Sequence, residues 1–374
     1  MVFMAKSPIP VLFDARMLGF SGIGTQVYSV LKLLIHRPEV RLTLAGDQDA
    51  IQKYLPEFSG EIRPFRAGIY SVREQLQFPA PRKGEIVHSP HYNAALKYLR
   101  RSVVVVHDLI HLDSQEFSNP VYRLYASFFL RQVAAKAGAV ATVSNHSKER
   151  MMENFPASKS RISTIYNGID HALFKVPATK DLIAFKKKYK LKRPFALCVG
   201  IGKKHKNVDF VVRSLKTLWD GDLDLDFCIA GTSGKLPGYL AEALEGFEHS
   251  SRIRILPFFE NSELPLLYGA ADVFIMPSLL EGFGFPLAEA MACGTPVVSS
   301  NRSSLPEVGG EVPLYFDPEQ ESELREAILR ILENKSIRSR MKKEGPAQAR
   351  TFTWKAHVDA LIPLYEQVAS GLPD

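Results

Sequence analysis

Short runs of consecutive apolar residues recur along the chain, and segments with helical spacing separate them. In the first half, residues 10–14, 42–45, 86–88, 103–106, 140–143 and 162–165 read as buried strands. Between them, residues 25–35 carry Val27, Val30, Leu31 and Leu34 on one face, and residues 121–136 form a helix with a broad apolar face. Ser144-Asn145-His146-Ser147 reads as a helix cap. A polar stretch follows, whose basic run at 186–190 suits a solvated helix face, and it places a linker at 171–180. The pattern then restarts: strands at 195–199, 227–230, 253–256, 273–276, 296–299 and 313–316, with helices at 286–293, 321–332 and 354–369. Strand–helix alternation in both halves predicts an α/β protein with two doubly wound parallel sheets. Ligands of such sheets bind at the carboxyl ends of the strands. That rule directs attention to Gly22–Gly24, to His107-Asp108, to residues 200–206 and to residues 277–289.

Composition narrows the class. The chain of 374 residues has room for two or three domains, and 46% hydrophobic with 23% charged residues excludes wholesale disorder. The three cysteines, Cys198, Cys228 and Cys293, lack C-x-x-C spacing, so they read as small buried hydrophobes rather than a disulfide or zinc framework. The chain start has no apolar core of signal-peptide length, and no run of about 18 uncharged apolar residues exists to span a membrane. The expectation is a reduced, cytoplasmic protein, or one at the inner face of a membrane. The net charge of +7 is uneven: residues 1–175 hold 22 Lys/Arg against 14 Asp/Glu, and the remainder 25 against 26. A one-sided excess suits an anionic partner such as nucleic acid, a phospholipid surface or a phosphorylated acceptor, or it is solubility charge.

The most informative segment runs from Pro277 through Ser278, Glu281, Gly282, Phe283 and Gly284 to Glu289. It leaves a strand and enters a helix through a glycine-rich turn. Free N–H groups and a helix N-terminus make a cradle for phosphate or sugar oxygens. Carboxylates beside such a cradle suit the hydroxyls of a nucleotide sugar. Gly200-Ile-Gly202-Lys203-Lys204-His205-Lys206 also follows a strand, and its cations can neutralise a departing diphosphate. Gly22 and Gly24 mark a close-approach loop after the first strand, with Arg16 just before it. His107, Asp108, His111 and Asp113 have spacing that allows a metal site. His88, His91, Tyr92 and Asn93 end a strand on the same side.

These residues together resemble the retaining GT-B glycosyltransferases of family 4. The E-x7-E pair is Glu281…Glu289, and Ala271-Asp272, Gly294-Thr-Pro-Val297 and Pro306-Glu307-Val-Gly309 follow the family order. In the first half, Gly22-Ile-Gly24, Val106-His107-Asp108, Val143-Ser144 and Tyr166-Asn167-Gly168-Ile169-Asp170 fit too. The resemblance spans about residues 12–355 and implies two Rossmann-like domains facing a central cleft. Residues 1–175 would bind acceptor, 176–355 the nucleotide sugar, and a last helix, 356–374, would cross back to the first domain.

The implied reaction moves a hexose from a nucleoside-diphosphate sugar to a hydroxyl with retention of configuration. His107, Lys206 and Glu281 would be catalytic. Gly22, Gly24, Lys203, Lys206, Ser278, Glu281, Gly282, Phe283, Gly284 and Glu289 would bind donor, with Glu281 on the hexose and Glu289 on the ribose. Arg16, His88, His91, Tyr92 and Asp108 would face the acceptor. The family's usual Arg-Lys-Asn is His205-Lys206-Asn207 here, so Lys206 inherits the diphosphate and the second cation is open. The resemblance implies no bound metal or cofactor. The expected acceptor is a glycan or a lipid-linked one, the basic first domain suits an anionic membrane surface, and no nucleic acid is expected. The His107-Asp108-Leu-Ile form is similar to mannosyl-type enzymes of polysaccharide and O-antigen assembly, which favours GDP-mannose, with a UDP-sugar as the other choice. A GT-B nucleotide-sugar epimerase and a non-catalytic sugar-nucleotide-binding module are the rival readings.

Overall fold

Thirteen short strands, the central ones buried, organise the described residues into two parallel sheets. The structure is a computed structural model and describes residues 7–19, 21–114, 116, 119–231 and 236–372. The chain forms two compact units, Met1–Gly168 with Thr353–Asp374, and Ile169–Phe352. The units part at Gly168/Ile169 and Phe352/Thr353, against the expected 175/176 and 355/356. The two crossings run side by side there, and the Ile169 N–H donates to the Phe352 carbonyl at 3.0 Å.

The first unit carries β1 (Ile9–Asp14), β2 (Val40–Gly46), β3 (Glu61–Pro64), β4 (Ile86–Ser89), β5 (Ser102–Val106), β6 (Ala139–Thr142) and β7 (Ile162–Thr164). Their order is β3-β2-β1-β4-β5-β6-β7. The strand runs β1, β2, β4, β5, β6 and β7 follow the sequence pattern. β3 escapes it because only Ile62 is apolar and no residue of that edge strand is fully buried. The helix expected at 25–35 begins earlier, at Ser21, and runs to Leu34. Gly22 and Gly24 therefore lie in its first turn rather than in a preceding loop. Phe20, also part of the expected turn, lies outside the described residues.

The helix Trp354–Ser370 belongs to this unit and packs on the sheet, with Trp354, Val358, Leu361, Tyr365 and Val368 buried. Its Tyr365 hydroxyl lies 2.9 Å from His88 Nδ1, and the His88 ring stacks on Phe13 at 4.1 Å. His88 is thus a core residue.

The second unit carries β8 (Phe195–Val199), β9 (Asp226–Ala230), β10 (Ile253–Ile255), β11 (Val273–Met276), β12 (Val297–Ser300) and β13 (Leu314–Phe316), in the order β10-β9-β8-β11-β12-β13. Cys198, Cys228 and Cys293 are buried and unpaired, and Cys198 faces the Ile275 carbonyl at 3.2 Å. In each sheet the order reverses once, between β1 and β4 and between β8 and β11. The crossovers diverge at these points, so the loops leaving those strands form the natural ligand crevice of each unit.

Candidate functional site

In the second unit the switch point joins the two segments singled out in the sequence. β8 ends in Gly200, and a short turn, Lys204–Lys206, leads to Asn207 and the helix Val208–Asp220. β11 ends at Met276, and the chain passes through residues 277–284 into the helix Phe285–Ala292. The two loops meet: the Leu279 N–H donates to the His205 carbonyl at 2.9 Å. The Lys206 ammonium lies 2.6 Å from Glu281 Oε1, with 21% and 10% of the two side chains exposed. A half-shielded ion pair holds the cation at the mouth of the turn, beside the helix N-terminus.

The turn itself is fixed from behind by two serines that sequence reasoning missed. The Glu281 N–H donates to Ser303 Oγ at 2.9 Å, and Ser304 Oγ donates to the carbonyls of Glu281 and Phe283 at 3.1 Å each. Their signal was their place just after β12, on the strand end the switch-point rule favours. Gly284 caps the helix at φ 97°, and a Cβ there would lie 2.7 Å from Leu305 Cδ2, so glycine is required on both counts. The N–H groups of Gly282, Phe283 and Gly284 make no hydrogen bond within the chain among the described residues. Three backbone donors, a helix N-terminus and an ammonium make an anion site.

The Phe283 ring does not join it. It is 3% exposed and packs against Phe285 and Phe352, so only its backbone can serve a ligand. Ser278 is buried with a hydroxyl that has no partner within the chain. Lys203 is exposed, and His205 is buried.

Glu289 sits one helical turn further on, half-buried. Its carboxylate accepts from the Tyr268 hydroxyl at 2.8 Å. Burial pushes its carboxyl up to about 7, against the opposing Tyr268 hydrogen bond. Glu281 and Glu289 therefore have different partners, a cation for one and a phenol for the other.

In the first unit, three of the expected residues are engaged in the fold. Arg16 donates to Asp14 at 2.7 Å, to the Ala67 carbonyl at 2.9 Å and to Glu74 at 3.1 Å, and it stacks over Phe65 at 4.0 Å. This guanidinium is a structural clamp, not the free charge expected beside the loop. His88 is 2% exposed and bound to Tyr365, and burial lowers its pKa to about 3, which removes it from any acceptor surface. Gly24 serves packing: a Cβ there would lie 2.6 Å from the Met17 carbonyl oxygen, so the helix start can lie against the 15–19 loop only with glycine. Gln26, two residues on, donates to Asn167 Oδ1 at 2.9 Å inside the unit, a contact across 141 positions that no local pattern announces.

His107 lies at the end of β5, partly exposed. Its Nε2 is 2.9 Å from the Pro90 carbonyl. A carbonyl only accepts, so Nε2 carries the proton and Nδ1 is left as an acceptor. Burial lowers the pKa to about 4, the Pro90 bond opposing, so the ring is neutral at physiological pH. A neutral imidazole with a bare Nδ1 can accept from a hydroxyl.

Asp108 follows it in the chain, and the His91 ring feels the His107 charge. His91 is held with burial lowering its pKa to about 3, and its ring lies 4.0 Å from that of Tyr92. The metal arrangement allowed by spacing does not assemble. Asp113 pairs with Arg150 at 2.5 Å, while His107 faces Pro90. Among the described residues, the His/Cys/Asp/Glu group with converging ligand atoms is Asp220, Glu248 and His249, and the Lys216 ammonium already bridges its two carboxylates.

Comparison with known proteins bears on the family and the fold. Residues 179–348 match the model for glycosyl transferases group 1, and residues 20–173 that for glycosyltransferase family 4. The O-antigen chain mannosyltransferase B of Escherichia coli is 30% identical over 288 residues, covering 76% of this chain and 74% of that protein. A serotype-specific mannosyltransferase WbdA of Escherichia coli is 26% identical over 68% of this chain, which spans only 32% of that longer protein. Among solved structures, HepE of Anabaena in complex with UDP-glucose superposes with a TM-score of 0.74 at 17% identity, over 96% of this chain and 99% of that one. WaaG, a glycosyltransferase involved in lipopolysaccharide biosynthesis, superposes with a TM-score of 0.70 at 14% identity, over 94% and 98%.

Proposed function

This chain belongs to the glycosyl transferases of group 1 and family 4, and we propose that it moves mannose from GDP-mannose to a glycan or lipid-linked hydroxyl, retaining the anomeric configuration. The observation that carries the proposal is the Lys206–Glu281 pair at the mouth of the 282–284 turn. In the proposed reaction the bond between the sugar C1 and the diphosphate oxygen breaks. The acceptor oxygen bonds to C1 on the same face, and its proton passes to the departing diphosphate. Lys206 and the free N–H groups of residues 282–284 stabilise that oxygen as charge develops on it. Glu281 holds hexose hydroxyls, and Glu289 holds the ribose. His107 orients the acceptor hydroxyl through Nδ1. The two mannosyltransferase relatives favour mannose; UDP-glucose in the complex of a fold neighbour keeps a UDP-sugar as the second choice.

No metal takes part in the proposed mechanism, because the ammonium and backbone donors supply the charge the leaving group needs. Transfer and donor hydrolysis are therefore expected to survive treatment with EDTA, measured as nucleoside diphosphate released from a panel of GDP- and UDP-sugars. Loss of all release, restored by one divalent ion, overturns metal independence; release from none of the panel overturns the donor reading.

We also propose that the first unit docks on anionic membrane. No helix among the described residues is long and apolar enough to cross a membrane. What supports docking is the +8 charge of residues 1–175 and a set of exposed apolar side chains: Val72, Leu76, Val121, Leu124 and Phe128. Flotation with vesicles containing anionic lipid should weaken as salt rises, since screening shortens to about 3 Å at 1 M salt. Equal flotation with neutral and anionic vesicles overturns the electrostatic part.

A further inference from the structure

Beside His107, the first unit carries a cluster of aromatic rings that the donor chemistry does not use. Tyr70 has φ 65°, a conformation uncommon for a non-glycine residue and costly for a bulky one. It is nonetheless 47% exposed, so burial of its ring does not explain the strain. Contacts with the fold hold it there: its hydroxyl lies 3.1 Å from His91 Nε2, and its ring meets the edges of His91 at 5.4 Å and Tyr125 at 5.9 Å. The partners are themselves fixed. His91 Nδ1 accepts the Asn93 N–H at 3.2 Å, and Asn93 bridges the buried Glu74 and the Tyr125 hydroxyl. On the far side, Tyr122 is 58% exposed and stacks near His111 at 6.2 Å.

We propose that Tyr70 and Tyr122 form a stacking subsite for a sugar ring of the acceptor, next to the hydroxyl-orienting His107. The inference rests on the glycosyltransferase reading and extends it to acceptor recognition. A pyranose has an apolar C–H face and a rim of hydroxyls. The cluster matches both: the half-exposed Tyr70 and Tyr122 rings present flat apolar surface, and their phenol oxygens can pair with hydroxyls. The cation that meets this network through Glu74, Arg16, is also engaged by Asp14, which suits a neutral polyol better than a phosphate. Restraining Tyr70 in advance also lowers the ordering cost of binding.

The test uses the full chain and methyl glycosides of mannose, glucose and galactose as probes, titrated by saturation-transfer NMR. At least one glycoside is expected to bind saturably. Its Kd should rise about tenfold in Tyr70→Ala and in Tyr122→Ala, and stay within about twofold in Tyr122→Phe, which keeps the ring. Tyr122 is exposed on its helix, so its truncation leaves the fold intact. Absence of saturable binding, unchanged Kd in both alanine variants, or displacement of the glycoside by guanosine overturns the subsite. Vesicle flotation lost in these variants while glycoside binding persists also overturns it, in favour of a membrane role for the rings. GDP and UDP affinity, measured on the same proteins by calorimetry, reports separately on the second unit. Failure of both nucleotides to bind wild type overturns the GDP- or UDP-sugar donor reading, whereas the glycoside titrations decide the subsite by themselves.

Discussion

Lys206→Ala is expected to lower the transfer rate by about two to three orders of magnitude, the scale seen when one donor to a developing oxyanion is removed. The placement of the neighbouring side chains supports this expectation. Lys203 is exposed, and His205 is buried with its carbonyl tied to Leu279. The Lys206 ammonium is held against the turn by Glu281 at 2.6 Å. Its removal also leaves the shielded Glu281 carboxylate without its counter-ion, which is repulsive toward a diphosphate. The double variant Lys206→Ala/Glu281→Gln should therefore recover nucleoside-diphosphate affinity relative to Lys206→Ala while its transfer rate stays low. Initial rates and calorimetry on the three proteins check this. A Lys206→Ala rate within about fivefold of wild type would remove Lys206 from the leaving-group site.

Glu281→Gln and Glu289→Gln are expected to fail in different measurements. Glu289→Gln should weaken the bare nucleoside diphosphate about tenfold to a hundredfold, the value of one charge-assisted hydrogen bond. Glu281→Gln should leave that affinity nearly intact, because the ligand has no hexose, and lose turnover instead. The structure adds a pH signature. The Glu289 carboxyl is raised to about 7 by burial, so it changes charge across the neutral range. Its ionised form is the better acceptor for ribose hydroxyls, so wild-type affinity should climb between pH 6 and pH 8 and that climb should flatten in Glu289→Gln.

Stability of the unliganded protein carries the opposite slope. The folded state holds the Glu289 proton more tightly than the unfolded state, whose pKa is near 4.5. This contribution is fully present below pH 4.5 and is lost as pH rises through about 7, and Glu289→Gln should abolish it. Chemical denaturation of both proteins at pH 5 and pH 8 measures the difference. Equal loss of diphosphate affinity in both variants would show that the two carboxylates share one task.

Local chemistry made much of this protein legible in its residues. Every central strand announced itself because a strand of a doubly covered parallel sheet must be apolar on both faces, and Val103–Val106 or Val273–Phe-Ile-Met276 admits no other burial. The turn at 282–284 was legible for the same local reason, since it places glycines between a strand and a proline-started helix. Short polar elements such as β3 and the helix Val72–Gln77 were not, because they bury too little to leave a period. The strained Tyr70 beside that helix was invisible as well.

What only the tertiary structure decided was the partner of each charged or polar group. Lys206 and Glu281 are 75 positions apart and meet because β8 and β11 are neighbours at a switch point. Ser303 and Ser304 reach the same turn from the next strand. Arg16 and His88 carry residue types suited to a site, yet one is bound by Asp14 and Glu74 and the other lies under Tyr365 of the last helix. The apolar period and turn chemistry are properties of neighbours along the chain, so the sequence by itself determines the strands, the main helices and the loops where ligands bind. A charge or hydroxyl is defined by its neighbours in space, across separations of up to 322 positions, and there the packed fold alone separates residues that face a ligand from those that hold the unit together.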